Sequence, residues 1–177
     1  EWESHAMLPS GRRVFLRPVR PEDEDRYLAF FEKMTEEDMR LRFFAKVREL
    51  GHSFILRLTQ IDYARAMAFI ALDPDSGEML GGVRLHGDAE HISGEYAVSV
   101  RSDLKGQGLG WVLMRQIIRY ARSEGFRHIH GEVLRENNSM LALCHALGFS
   151  AKVDRDSPEI MKVALDVAAT SDDIYGD

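Results

Sequence analysis

The stretch Arg101-Ser102-Asp103-Leu104-Lys105-Gly106-Gln107-Gly108-Leu109-Gly110 joins a strand-like segment to a long amphipathic helix. Residues 96–100, which precede it, have the alternation of a half-buried strand. After it, apolar residues recur at helical spacing, at positions 109, 112, 113, 117, 120 and 121. The glycines let the backbone bend and approach a ligand closely, and a helix that starts there directs unpaired amides outward. This stretch therefore predicts a phosphate-binding turn.

The composition of the chain limits its class. With 177 residues, of which 45% are hydrophobic, the chain is long enough for one domain with a core. Its formal net charge of −6 and the lack of a Lys/Arg cluster argue against a nucleic-acid partner. The single cysteine, Cys144, rules out an internal disulfide, and the sequence has neither a signal peptide nor an apolar run of membrane-spanning length. We therefore expect a cytoplasmic protein with no membrane partner.

Hydrophobic periodicity and turn residues predict the order of the elements. The predicted elements are a strand at 14–16, helices at 22–34, from 35 and at 53–59, strands at 66–72, 79–86 and 92–100, a helix from 109 to about 125, a strand at 128–134, a helix at 137–147, and strands at 149–153 and 160–165. The strand–helix–strand unit at 92–134 requires a parallel pair, whereas the other strands are joined as hairpins. We predict an α/β (α+β) fold, with a mixed, mostly antiparallel, twisted sheet of about seven strands flanked by helices on both faces.

Residues 8–167 are expected to form one domain, because no internal repeat or low-complexity segment divides them. Residues 1–7 have no pattern related to the rest of the chain, so we expect a linker or a remnant of protein expression. Residues 168–177 are small and polar, which predicts a flexible C-terminal tail.

Two motifs in this order carry a resemblance to a known family. The phosphate-binding signature of that family is Gln or Arg, two residues, Gly, one residue, then Gly or Ala, and the matching positions here are Lys105, Gly108 and Gly110. Lysine departs from the usual residue but keeps the positive charge. The second motif is Asn137, followed by a helix that ends in Ala146-Leu147-Gly148-Phe149. Over nearly its whole length the chain resembles the GNAT (Gcn5-related N-acetyltransferase) family.

The resemblance implies that acetyl-CoA is the co-substrate. Backbone amides of the turn would hold its pyrophosphate, the strand before the turn would pair with its pantetheine arm, and Asn137 would hydrogen-bond the pantetheine or cap its own helix. The implied cofactor-binding residues are Val98, Ser99, Val100, Lys105, Gly106, Gln107, Gly108, Leu109, Gly110, Trp111 and Asn137. A dinucleotide site would need an acidic residue some twenty positions later, where the chain has Arg119-Tyr120-Ala121-Arg122. The histidines lack metal-ligand spacing, so we expect no metal.

A narrower likeness lies in the stretches at 11–18, 42–44 and 95–106. They resemble the acetyltransferase domain of bacterial Pat-type protein lysine acetyltransferases. The resemblance implies direct transfer of an acetyl group to the ε-amine of an exposed lysine on a partner protein, an acyl-CoA synthetase. Two alternatives remain open: acetylation of a small-molecule amine, and a non-catalytic regulatory module that binds coenzyme A.

Glu95 is the candidate general base, because Pat-like domains carry their catalytic glutamate at this position. The alternatives are a solvated carboxylate without a role, or Glu90 or His91 as the base. Many family members place a tyrosine seven residues after the asparagine as general acid, but this chain has Cys144 there. The acid is therefore unassigned, with solvent as the default donor and Tyr96 as another option. Arg40 and Arg42 are expected to be solvated.

Overall fold

The computed structural model describes residues 2–43 and 52–170 of the chain, with eight strands in one sheet. The strands are β1 (Ser4–Met7), β2 (Arg13–Pro18), β3 (Ala66–Leu72), β4 (Met79–Gly87), β5 (Ser93–Val100), β6 (His128–Leu134), β7 (Ser150–Val153) and β8 (Ile160–Asp166). The helices are α1 (Glu24–Glu32), α2 (Glu36–Phe43), α3 (His52–Thr59), α4 (Leu109–Ser123) and α5 (Asn138–Leu147). None of the described helices is long and apolar enough to cross a membrane.

The strands lie in the order β1-β2-β3-β4-β5-β6-β8-β7. Every neighbouring pair is antiparallel except β5 and β6, which are parallel and are joined through α4. The predicted mixed, mostly antiparallel sheet is confirmed. It has one strand more than the seven expected.

The additional strand is β1, which lies where we expected a linker or an expression remnant. Ser4 pairs with Leu16 and Met7 with Arg13, so residues 4–7 belong to the sheet. The Trp2 ring packs against those of Phe69 and Tyr120, at centroid distances of 5.9 and 5.6 Å. Four residues are too few to show strand alternation in the sequence, and the anchoring aromatic contacts are long-range. Residues 168 and 169 of the expected tail belong to a short 3-10 turn, Val167–Ala169. Residues 171–177 of that tail lie outside the described residues, as does Phe44 of the Pat-like stretch at 42–44.

Two cores lie on opposite faces of the sheet. In β3, Phe69 and Ala71 pack into the core that contains α4 and α5, whereas Ala68, Ile70 and Leu72 pack into the core that contains α1, α2 and α3. This division follows from the alternation of side chains along a strand. Helices therefore cover both faces, as predicted, and β5 runs between them.

A buried ion pair fixes the start of α1 against β2. The Asp23 carboxylate, 1% exposed, accepts hydrogen bonds from Arg17 Nη2 at 2.6 Å and Nη1 at 2.8 Å, and from the Arg20 amide at 2.8 Å. Arg26 contributes a further contact at 3.3 Å. Burial by itself would raise the pKa of Asp23, but these hydrogen bonds outweigh it and lower that pKa below its ordinary 3.8.

We predict that Asp23→Ala lowers the free energy of unfolding by about 3 kcal/mol, because it leaves the Arg17 guanidinium buried without a counter-charge. Urea denaturation at neutral pH measures the change. The exposed neighbour Asp25 provides a matched control, and Asp25→Ala should change stability little. Since the folded-state pKa of Asp23 is lowered, its stabilisation is complete at neutral pH and is lost as the pH falls below 3.8. Equal stability of the two variants would contradict this account.

Candidate active site

The parallel strands β5 and β6 separate part-way along their length. They pair only at Ser93–His128, Gly94–Ile129 and Glu95–His130, although β5 continues to Val100 and β6 to Leu134. Beyond those pairs, the β6-facing edge of β5 has no strand partner in the described part of the chain. The result is a wedge between two strands in the middle of the sheet.

The ring of Tyr96 occupies the closed end of this wedge. It lies over Gly131 of β6 so closely that a Cβ atom there would approach Tyr96 Cε1 to 2.5 Å. The ring also packs edge-on against Phe149, with centroids 5.6 Å apart. Gly131 therefore leaves room for the aromatic ring at the point where the strands separate.

The wedge opens into a cavity of about 320 Å³. Every predicted cofactor-binding residue except Gln107 lines it. Residues that we did not predict also line it, chiefly Met34, which follows α1, and Asp38, Leu41 and Arg42 of α2. The structure thus brings the glycine turn, the free part of β5 and the start of α5 together around one space.

The glycine turn presents the start of α4 to this cavity. Gly106 and Gly108 have φ angles of +79° and +89°, in the left-handed region that favours glycine. Gly108 immediately precedes α4, and no side chain caps the helix there. The first amides of α4 therefore lack intrahelical partners, and the positive end of the helix dipole faces the cavity. This geometry suits a pyrophosphate.

Hydrogen bonds across the cavity rim connect α2 to the glycine turn. The Thr35 amide donates to Ser102 Oγ at 2.9 Å, and Lys105 Nζ donates to Asp38 Oδ1 at 2.7 Å. Burial would raise the pKa of Asp38, but hydrogen bonds from Lys105 and Ser102 lower it. The charge of Lys105, which we expected to be available for the pyrophosphate, is thus partly engaged by Asp38.

Asn137 caps α5, which is one of the two roles expected for it. Its Oδ1 accepts hydrogen bonds from the Met140 amide at 3.3 Å and from Ser139 Oγ at 3.2 Å. Because Asn137 also lines the cavity, its side-chain amide remains close to the space that a pantetheine arm would occupy.

The candidate base, Glu95, is exposed and does not line the cavity. It lies at the last paired position before the wedge, with His86 of β4 and His130 of β6 as its cross-strand neighbours. By strand alternation its side chain shares a face with those of Ala97 and Ser99, which do line the cavity. Glu90 and His91, the two expected backups, lie in the turn that precedes β5, and His91 Nε2 lies 2.8 Å from the Ala64 carbonyl oxygen.

The two candidate proton donors contact each other. Tyr96 Oη lies 3.2 Å from Cys144 Sγ, and both residues are buried. Burial, and then the contact with Cys144, raise the pKa of Tyr96, while burial raises the pKa of Cys144. Both groups therefore stay protonated at neutral pH, which argues against an acetyl-cysteine intermediate.

Arg42 is partly buried, so our expectation that it lies on a solvated surface is wrong. Its Nε atom is buried, and its guanidinium carbon lies 4.2 Å from the centre of the Phe43 ring. Burial, followed by repulsion from Arg84, lowers the pKa of Arg42 to about 10. Its position between Leu41 and Phe43 is the sequence signal that could have indicated a partly buried arginine.

Comparison with known proteins identifies the family. A family model described as "Acetyltransferase (GNAT) family" matches residues 31–149, which is more than half of the chain. The chain belongs to the GNAT acetyltransferase family. It is therefore an acetyltransferase of the GNAT type, and acetyl-CoA is its acyl donor.

Individual relatives support the narrower likeness as well. The chain is 36% identical to "Acetyltransferase PA5475" of Pseudomonas aeruginosa over 84% of its own length and 81% of that protein. It superimposes on the GNAT domain of S. lividans PAT with a TM-score of 0.86 and 26% identity, covering 93% of this chain and 97% of that one. It is 27% identical to "Acetyltransferase Pat" of Mycolicibacterium smegmatis over 80% of this chain, but spans only 43% of that protein. The fold and the Pat-like resemblance are thus confirmed.

Metal ligands do not cluster in this GNAT domain. Within residues 2–43 and 52–170, no group of three or more His, Cys, Asp or Glu side chains is arranged to hold a metal ion. Besides backbone amides, the cavity is lined by the carboxylates of Asp38 and Glu132, by Tyr96, and by the cations Arg42 and Lys105.

We predict that Gly108→Ala weakens coenzyme A binding about tenfold, which corresponds to a loss of about 1.4 kcal/mol of binding free energy. The reason is that alanine disfavours the left-handed conformation, so the amides at the start of α4 shift away from the pyrophosphate. Its Cβ would also lie 3.1 Å from Pro9 Cδ. Isothermal titration calorimetry measures the dissociation constant.

Gly125→Ala is the matched control, because Gly125 has a φ of +82° and lies outside the cavity wall. Both variants carry the same backbone strain, so both should lose stability. Only Gly108→Ala should lose affinity, and unchanged affinity in that variant would contradict the assignment of the pyrophosphate site.

Proposed function

We propose that this chain transfers the acetyl group of acetyl-CoA directly to the ε-amine of a lysine on a partner protein, an acyl-CoA synthetase. The observation that carries the proposal is the free edge of β5 at Tyr96–Val100, which lies in one cavity with the amides of the glycine turn. The Pat-type resemblance implies a protein acceptor, and the similarity to the GNAT domain of S. lividans PAT supports that resemblance.

The chain's own groups account for donor binding. Amides at the start of α4 bind the pyrophosphate, and the unpaired edge of β5 pairs with the amide groups of the pantetheine arm as a neighbouring strand would. Acetyl-CoA supplies an activated thioester. A backbone amide near Val98 polarises the thioester carbonyl and stabilises the oxyanion that forms on attack by the amine.

Proton transfer is the remaining requirement. A lysine amine with a pKa near 10.4 is uncharged in only about one molecule in 2,500 at pH 7, so the reaction needs a base. Glu95 accepts the ammonium proton through a water molecule, since its carboxylate is exposed at the end of the wedge. Solvent, the default donor, supplies the proton for the departing thiolate, because burial raises the pKa of Tyr96 and makes its hydroxyl a weaker acid.

The proposal predicts that the chain, incubated with labelled acetyl-CoA and a panel of acyl-CoA synthetases, modifies lysines that mass spectrometry can map. Glu95→Gln should lower kcat/KM by a factor of about 10² to 10⁴, because the base is lost, and leave the dissociation constant for coenzyme A unchanged. Glu90→Gln, a carboxylate change in the turn before β5, should retain the wild-type rate.

Three results would contradict the proposal in different ways. Labelling of small amines alone would exclude a protein acceptor. Coenzyme A binding without transfer to any acceptor would point to a regulatory module. Full activity of Glu95→Gln would leave the acceptor assignment standing and remove Glu95 as the base.

A further inference from the structure

The guanidinium of Arg42 lies where the cofactor cavity meets the α1–α3 face of the sheet. Arg42 lines both the 320 Å³ cavity and a smaller one of about 20 Å³, and the two share Ala97 and Ser99 of β5. Arg84 and Phe43 line the smaller cavity. Arg42 therefore stands beside the free part of β5, on the strand face that also carries Glu95.

Arg42 has no anionic partner in the described part of the chain. Its buried Nε makes no hydrogen bond, and no carboxylate of residues 2–43 or 52–170 lies within 4.0 Å of its guanidinium. Arg84 donates to the Leu58 carbonyl at 3.0 Å and to Tyr27 Oη at 3.4 Å, which are both uncharged acceptors. Two cations thus line one small cavity with no carboxylate of the described residues in direct contact with Arg42, although Glu95 acts on Arg42 electrostatically at longer range.

Two arginines that are more fully buried than Arg42 are each paired with a carboxylate. Arg17 contacts Asp23 at 2.6 Å, and Arg101 contacts Asp103 at 2.7 Å. A partly buried cation without such a partner is costly, and an anion that enters the cavity would remove the cost. The lowered pKa of Arg42 has the same origin, because burial and the charge of Arg84 both oppose its positive charge. A pKa of about 10 still leaves Arg42 cationic at neutral pH.

We propose that Arg42, with Arg84 behind it, binds a carboxylate that one of the two substrates brings to the point of transfer. The carboxylate is either the terminal group of a dicarboxylic acyl chain on CoA or a carboxylate beside the acceptor amine. The planar fork of a guanidinium fits a carboxylate with two parallel hydrogen bonds. The proposal rests on the acyl transfer proposed above and defines the substrate class of the same site.

The surroundings favour a carboxylate over a phosphate. Leu41 and Ala97 give the adjoining wall an apolar character that suits a short carbon chain. Glu95 acts on Arg42 electrostatically from the same strand face, and it would repel a dianion more strongly than a monoanion. The reaction itself is unchanged: the carbon–nitrogen bond forms, the carbon–sulfur bond breaks, the amine loses a proton and coenzyme A leaves as the thiol.

The test compares the wild-type chain with Arg42→Gln, Arg42→Lys and the control Arg13→Gln, which removes an exposed guanidinium from β2. One arm measures the dissociation constants of acetyl-CoA, malonyl-CoA and succinyl-CoA, and thiol release from each. The other arm uses acetyl-CoA with lysine peptides that carry either a neighbouring glutamate or its glutamine counterpart.

The expected result is a preference of about tenfold or more for the carboxylate-bearing substrate in one arm, which identifies the source of the carboxylate. Arg42→Gln should abolish that preference, Arg42→Lys should retain part of it, and Arg13→Gln should retain all of it. Should Arg42→Gln fail to fold, the wild-type preference and the Arg42→Lys variant still decide the question.

Absence of a carboxylate preference in both arms of the wild-type test would overturn the proposal. An equal loss of affinity and of transfer rate in Arg42→Gln for every donor and acceptor would also overturn the proposal, because that pattern indicates a structural or general electrostatic role. If no donor gives transfer, the proposed function fails, while the dissociation constants of the three donors still test the carboxylate site.

Discussion

The edge of β5 that faces β6 carries backbone amides and carbonyls that no strand of the described chain satisfies beyond Glu95. Such groups are costly inside a protein unless water or a ligand pairs with them. An extended ligand with its own amide groups satisfies them in the way a strand does, and the start of α4 lies at the far end of that edge. The separation of the two strands therefore determines both the type of ligand and its direction.

The second side of the site depends on α2. The contacts of Thr35 with Ser102 and of Asp38 with Lys105 hold this helix against the glycine turn, and Arg42 at its end extends along the wall of the cavity. At the start of α1, the buried Arg17–Asp23 pair fixes the chain that leads into α2. The glycine turn and the part of the cavity wall formed by α2 are thus joined by a few polar contacts between distant parts of the sequence.

Local patterns explain what the sequence could predict. The glycine turn, the amphipathic α4 and the cap at Asn137 depend on residues close together in the chain, so periodicity and turn chemistry indicated them. β1 escaped prediction because its four residues depend on pairing with β2 and on the packing of Trp2. The burial of Arg42 and the pairing of Lys105 with Asp38 arise where α2 packs near β5, and no local pattern encodes a contact 67 positions apart.

An amide NMR titration of the chain with coenzyme A tests the central claim most directly, because it reports on the free edge of β5 residue by residue. The account predicts saturable chemical-shift changes that are largest at residues 98–100 and at residues 106–111. Changes centred elsewhere, or a titration that leaves residues 98–100 unaffected, would contradict it.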